Sequence, residues 1–177
     1  PLYMGMLTRV QAQVRKVLDP HDVVFCLGAD LLRMSVYSPV DPLPAHVQVA
    51  HLSERSWELA KNHPARWAAC ANVKATLKAL LPILRQRHSA AQRAEVASRA
   101  LRWQEGNWSR QRELALKAAR AQGDASPMSA AVLCSALAAH VPSHAVVVEE
   151  ALTSSQPLPG MLSQSHPHAL FGLASGG

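Results

Sequence analysis

Few residue groups in this sequence combine types and spacing that could do chemistry. His166-Pro167-His168 is the one tight group among nine histidines. No cysteine or carboxylate stands at ligand spacing beside it, and a metal site needs three or four ligands. It reads as a loop with two exposed histidines. Cys26, Cys70 and Cys134 are far apart and odd in number. They read as buried free thiols in a reducing compartment, so a cytoplasmic location is expected. Two short segments, Gly28-Ala29-Asp30 and Leu152-Thr153-Ser154-Ser155, each follow an apolar run, where a strand ends and α/β folds place ligands. Thr153 and Ser154 fit either a plain turn or a polar seat. The last group is electrostatic. The net charge of +6 is concentrated in residues 61–120, which hold 13 basic and 3 acidic residues, while residues 1–60 sum to −1 and residues 121–177 to −3. Only Trp103 and Trp108 interleave with the cations, and no nucleic-acid motif accompanies them. A solvated helix face is the plainer reading and a phosphate-binding stripe the alternative.

These groups need elements to hold them. Thr8 to Leu18 is predicted to be a helix with Val10, Val14, Val17 and Leu18 on one face. Asp19-Pro20-His21-Asp22 is a turn. Val23 to Gly28 is wholly apolar, which predicts a strand buried on both faces of a parallel sheet. His46 to Leu52 is a second strand, and Ser53 to Asn62 is predicted to be a short helix capped by Ser53. Asn72 opens a helix whose apolar side is Val73, Leu77, Leu80, Leu81 and Leu84. Residues 86–122 are polar and Arg/Ala-rich, predicting a helical connector broken near Gly106-Asn107. Ser126 before Pro127 gives a cap and a first-turn proline in the right order. The helix they open is expected to bury Val132, Leu133, Cys134 and Leu137. Ala145 to Val148 is a third buried strand, and Pro157 to Leu162 a helical turn.

Composition agrees with a folded chain. The sequence is 49% hydrophobic and 17% charged, enough to bury a core, and only 5% aromatic, with alanine and leucine favouring helices. No apolar run approaches the ~20 residues that span a bilayer, so no membrane partner is expected. The first residues are no signal peptide. Both ends fall inside patterned segments, which suggests a piece of a longer protein. The expected fold class is α/β: a partial doubly wound parallel-sheet central domain, a helical linker, and the first α/β unit of a second domain.

In order and spacing the chain resembles thiamine diphosphate-dependent enzymes of the benzoylformate decarboxylase and acetolactate synthase type. Asp22-Val23-Val24 through Gly28-Ala29-Asp30 is similar to a strand and loop of the family's central domain. Val47 to Asn62 and Val73 to Leu81 are similar to the strand and helices that follow. Residues 127–177 resemble the opening of the diphosphate-binding domain, through Val146-Val147-Val148-Glu149-Glu150, Leu152-Thr153-Ser154-Ser155 and Phe171 to Gly177. The resemblance implies the division 1–85, 86–126 and 127–177: central domain, basic helical linker and diphosphate-binding domain. It implies that Leu152, Thr153 and Ser154 help hold the cofactor diphosphate, where amides and a hydroxyl suit a phosphate. It implies that the Gly176 carbonyl meets the cofactor's 4′-amino group. The family's catalytic glutamate and its Mg²⁺ motif have no counterpart in this chain, so no catalytic or metal residue is assigned here. Where benzoylformate decarboxylases carry an acid–base histidine, this chain has Ser35. The glycine fingerprint for FAD or ADP is missing, as Gly28 stands alone.

The implied function is part of a thiamine diphosphate- and Mg²⁺-dependent enzyme acting on 2-oxo acids, inactive as these 177 residues alone. The complete protein is expected to be a homo-oligomer with no nucleic-acid or membrane partner. The alternative is a non-catalytic α/β nucleotide- or protein-binding module with a basic helical arm.

Overall fold

The computed structural model describes residues 2–34, 37–123, 126–151 and 153–172. Its elements fall into two units, Met6–Ala94, and Pro1–Gly5 with Glu95–Gly177.

In the first unit, helix α1 (Gln11–Leu18) buries Gln11, Val14 and Leu18. Val10 and Val17 are exposed, so the inward face is rotated from the expected valine stripe to the i, i+3, i+7 set. Strands β1 (Val23–Leu27), β2 (Gln48–Ser53) and β3 (Trp67–Cys70) form a parallel sheet in the order β1-β2-β3. The register sets Val24 beside Val49, and Cys26 beside His51. Neighbours in register point to the same side, so these four residues share one face. Cys26 and Val49 pack there with Leu31, Val24, Leu32, Leu43 and Ala65. On the opposite face Val23, Phe25, Leu27 and Trp67 are exposed. The expectation that β1 is buried on both faces is therefore corrected. β1 is an outer strand, and helix α2 (Val73–Arg87), which could have covered that face, buries none of its residues. Within α2, Leu81 and Leu84 are exposed.

Two further corrections concern local chemistry. Ser53 does not cap a helix over 53–62. It ends β2, its carbonyl accepts from the Ala71 amide at 3.1 Å, and its hydroxyl accepts from the Arg55 amide at 3.1 Å. The i, i+2 bond makes a turn instead of a cap, and only one 3₁₀ turn follows, Ser56–Glu58. Strand β3 has no counterpart in the sequence reading, because four residues at a sheet edge, exposed on both faces, carry no periodic signal. Asn72 does cap α2: its side chain accepts from the Ala75 amide at 2.9 Å and its amide group donates to Glu54 Oε1 at 2.9 Å.

Helices with a break near Gly106 run through residues 86–122, as expected. Helix α3 (Ala90–Gln104) begins on a reciprocal pair, Ser89 Oγ accepting from the Gln92 amide and Gln92 Oε1 from the Ser89 amide. The break falls at Gly106, and Asn107 caps helix α4 (Trp108–Arg120) by accepting from the Arg110 amide at 2.9 Å. In the second unit α4 packs with helix α5 (Ala130–His140) and the turn α6 (Leu158–Met161) around Ala119, Cys134 and Met161. The α5 cap is Ser129, not Ser126: its hydroxyl accepts from the Val132 amide. Of the four residues α5 was expected to bury, only Cys134 is buried; Leu133 and Leu137 are half exposed. Strand β4 (Val147–Glu149) pairs in parallel with β5 (Leu170–Gly172). Val146 and Val148 are exposed, so this strand too is open on one face. Among the described residues each strand of this two-stranded sheet has a free edge.

Candidate functional site

The carboxyl end of β4 leads into the hydroxyl-rich segment. Glu149 ends the strand, and after Ala151 the chain turns through Thr153, Ser154 and Ser155. The Thr153 carbonyl accepts from the Gln156 amide at 3.3 Å, and the Ser155 carbonyl accepts from the Leu158 amide at 2.7 Å. Among the described residues, no backbone acceptor meets the amides of Thr153, Ser154 or Ser155. Thr153 and Ser154 are exposed, whereas Ser155 is half-buried. The turn therefore presents donors and no carboxylate of its own, a donor set that fits a phosphate oxygen.

Three side chains fix this turn from behind. The Ser155 hydroxyl reaches Glu149 Oε1 at 2.5 Å and the Ala151 carbonyl at 2.8 Å. The Cys134 thiol donates to the Ser154 carbonyl at 3.5 Å. Burial pushes the Cys134 thiol above its ordinary value, and the Leu158 amide beside it offsets part of that shift. Across the sheet, a Cβ added at Gly172 would lie 3.8 Å from Glu149 Oε2, so the two parallel strands end side by side. Thr153 and Ser154 are thus in one exposed turn at a strand end. Leu152, Gly176 and Ser35 lie outside the described residues. Glu149, Ser155 and Cys134 were missed as partners of the turn. Ser155 was legible as part of the hydroxyl run, but the other two act through tertiary contacts.

The first unit has a second strand-end loop. Gly28 has φ +64°, which glycine adopts without steric penalty, and its amide donates to the Leu52 carbonyl at 2.8 Å. The Ala29 carbonyl accepts from Cys26 Sγ at 3.2 Å and faces His51 Nε2 at 3.1 Å. Burial pushes the Cys26 thiol up, the backbone amide of Ala29 offsets part of that shift, and the Asp30 carboxylate adds a smaller upward push. Asp30 holds Arg55 at 2.5 Å and Arg33 at 3.5 Å. A cleft of about 710 Å³ opens nearby, lined in part by Arg33, Asp41, Glu58 and Lys61. Lys61 pairs with Glu58 at 3.3 Å, so the cleft offers matched charges and no surplus for an anion.

The other candidates carry less. His166 faces two carbonyls, with Nδ1 2.8 Å from the Pro167 oxygen and Nε2 3.3 Å from the Ala145 oxygen. The His168 ring stacks on Phe171 at 5.9 Å. Among the described residues no three His, Cys, Asp or Glu side chains converge as metal ligands. Cys26 and Cys134 are buried as expected, but Cys70 is exposed, because β3 is a bare edge strand. Among the described residues no helix is long and apolar enough to cross a membrane.

Comparison with known proteins adds two findings. Residues 1–80 match the family described as thiamine pyrophosphate enzyme, central domain. Over 97% of its length the chain superposes on the thiamine diphosphate-dependent 4-hydroxybenzoylformate decarboxylase of Rhodococcus jostii RHA1, with a TM-score of 0.56 and 20% sequence identity. The chain spans 28% of that enzyme's length. No curated protein sequence matches it. The structural likeness carries the fold: parallel strands and helices in the order of a thiamine diphosphate enzyme.

Proposed function

We propose, from the match of residues 1–80 to the thiamine pyrophosphate enzyme central domain, that this chain is part of a thiamine diphosphate- and Mg²⁺-dependent enzyme acting on 2-oxo acids. The reaction is a decarboxylation or a carboligation. Residues 1–85 are the later part of the central domain, 86–126 a basic helical linker, and 127–177 the opening of the diphosphate-binding domain. The complete enzyme is a homo-oligomer of the cytoplasm.

One observation supports the cofactor assignment most directly: the exposed turn closing β4, whose three successive amides meet no backbone acceptor among the described residues. In this reading those amides and the Thr153 hydroxyl bind the diphosphate, with Leu152 and Ser154 alongside. The carbonyl of Gly176 accepts from the 4′-amino group. When bound, the cofactor supplies the electron sink for breaking the bond beside the keto carbon. This chain's share is binding and orientation. None of its residues is assigned as the acid, the base or a Mg²⁺ ligand of the reaction, so the 177 residues alone do not turn over.

Titration calorimetry of the purified chain with thiamine diphosphate and inorganic pyrophosphate, in Mg²⁺ buffer, tests the site. Saturable binding is expected, weakened in Thr153→Val. No binding of either ligand at millimolar concentration refutes the assignment. A CO₂-release assay with several 2-oxo acids tests the inactivity, and clear decarboxylation by the chain alone overturns it.

A second reading makes the chain a non-catalytic module with a basic arm. It is favoured by the cations of α3 and α4, where only Arg110 pairs with a carboxylate, Glu113 at 2.7 Å, among the described residues. Low-salt titration with duplex DNA and polyphosphate separates the two readings; the enzyme reading expects no binding.

A further inference from the structure

We propose that Cys134 is a positioning residue for the Thr153–Ser155 turn: its buried thiol holds the Ser154 carbonyl toward α5 and so turns the Ser155 amide outward as a donor. The inference rests on the diphosphate reading of that turn and concerns what aims it.

The geometry needs only one peptide plane. Cys134 is 4% exposed and sits in the packed face of α5. Its Sγ is 3.5 Å from the Ser154 oxygen. In a trans peptide the carbonyl and the following N–H point in opposite directions. A Ser154 carbonyl aimed into the helix therefore sends the Ser155 amide away from it. That amide meets no backbone acceptor among the described residues.

The residue that carries this amide is anchored on its other side. The Ser155 hydroxyl lies between Glu149 Oε1 at 2.5 Å and the Ala151 oxygen at 2.8 Å. The turn is thus pinned once to the strand end and once to the helix. Burial keeps the Cys134 thiol protonated, and so a donor, through neutral pH. A thiol is a weak donor, so the effect is one of aim, graded and modest.

The test uses the full chain and inorganic pyrophosphate in Mg²⁺ buffer. Cys134→Ala removes the donor, Cys134→Val removes it while filling the space, and Cys134→Ser restores a donor. Circular dichroism checks that each folds. Pyrophosphate is expected to bind roughly three- to tenfold more weakly to the Ala and Val variants, and within about twofold of the parent to the Ser variant. A second readout needs no ligand. The Ser155 amide resonance is expected to shift in the Ala and Val variants and to return toward the parent position in Cys134→Ser. A purely structural role would lower stability without the serine rescue. If the parent binds pyrophosphate and all variants bind equally, the positioning role is overturned while the diphosphate reading stands. If the Ser155 resonance does not move in the Ala and Val variants, the positioning role is overturned whatever binds. If the parent binds no pyrophosphate, the diphosphate reading fails and the inference falls with it.

Discussion

Replacing Gly28 by alanine tests how the carboxyl edge of the first sheet is built. Gly28 has φ +64°, in the left-handed region that costs other residues about 1–2 kcal/mol. An added Cβ would lie 3.4 Å from Val73 Cγ2. That is near ordinary van der Waals contact with the tip of a side chain, so it adds little. The Leu52 hydrogen bond uses the Gly28 amide, which alanine keeps. The full effect is therefore the backbone term. The unit from Met6 to Ala94 has about 90 residues, for which 1 kcal/mol corresponds to about 4–8 °C in Tm. Gly28→Ala should lower the midpoint by roughly 5–15 °C. Gly28→Asn should lower it less, because asparagine tolerates this conformation. The assay is thermal melting followed by tryptophan fluorescence in a Trp103→Phe, Trp108→Phe background, which leaves Trp57 and Trp67 as reporters of this unit. An unchanged midpoint for alanine would falsify the backbone argument. Asparagine being worse than alanine would shift the cause to bulk against Val73, and Val73→Ala should then restore stability.

Four further outcomes follow from the same structure. A thiol reagent at neutral pH should label Cys70 quickly and Cys26 and Cys134 only on unfolding, since two thiols are buried and one is exposed. Both buried thiols have raised values in the folded state relative to an ordinary 9.0. The unfolded chain therefore releases their protons first, and stability should fall as pH rises above that value; denaturant midpoints of Cys26→Ala and Cys134→Ala should show a shallower alkaline decline. Ser129→Ala should cost the second unit about 1 kcal/mol in denaturant unfolding through loss of the α5 cap, while Ser126→Ala should leave it unchanged; the reverse order would restore Ser126 as the cap. Asp30→Asn should cost under about 1 kcal/mol and less at high salt, because its arginine partners are largely exposed; a larger, salt-independent loss would mean that the Arg55 contact is structural.

Local signals in the chain were legible. Val23 to Gly28 and His46 to Leu52 read as strands because short apolar runs bounded by turn residues suit a parallel sheet. Asn72, Gly106 and Asn107 marked helix ends because caps and breaks are made by neighbours in sequence. The hydroxyl run Thr153-Ser154-Ser155 was visible for the same reason. Ser53 and Ser126 misled the reading because a serine before a helical pattern can cap, or can turn the chain, and the next few residues do not decide which.

By itself, the sequence determined the α/β order, the strand-end positions of Gly28 and Thr153, and the polar character of the connector. All of these depend on residues close along the chain. Only the tertiary structure decided which faces are covered and what holds the turn. Val23, Phe25 and Val148 are as apolar as buried residues, yet they are exposed. Cys134 reaches the Ser154 carbonyl across 20 positions, and His51 meets Ala29 across 22. Contacts of that span are set by how helices and strands pack, and local pattern carries no record of them.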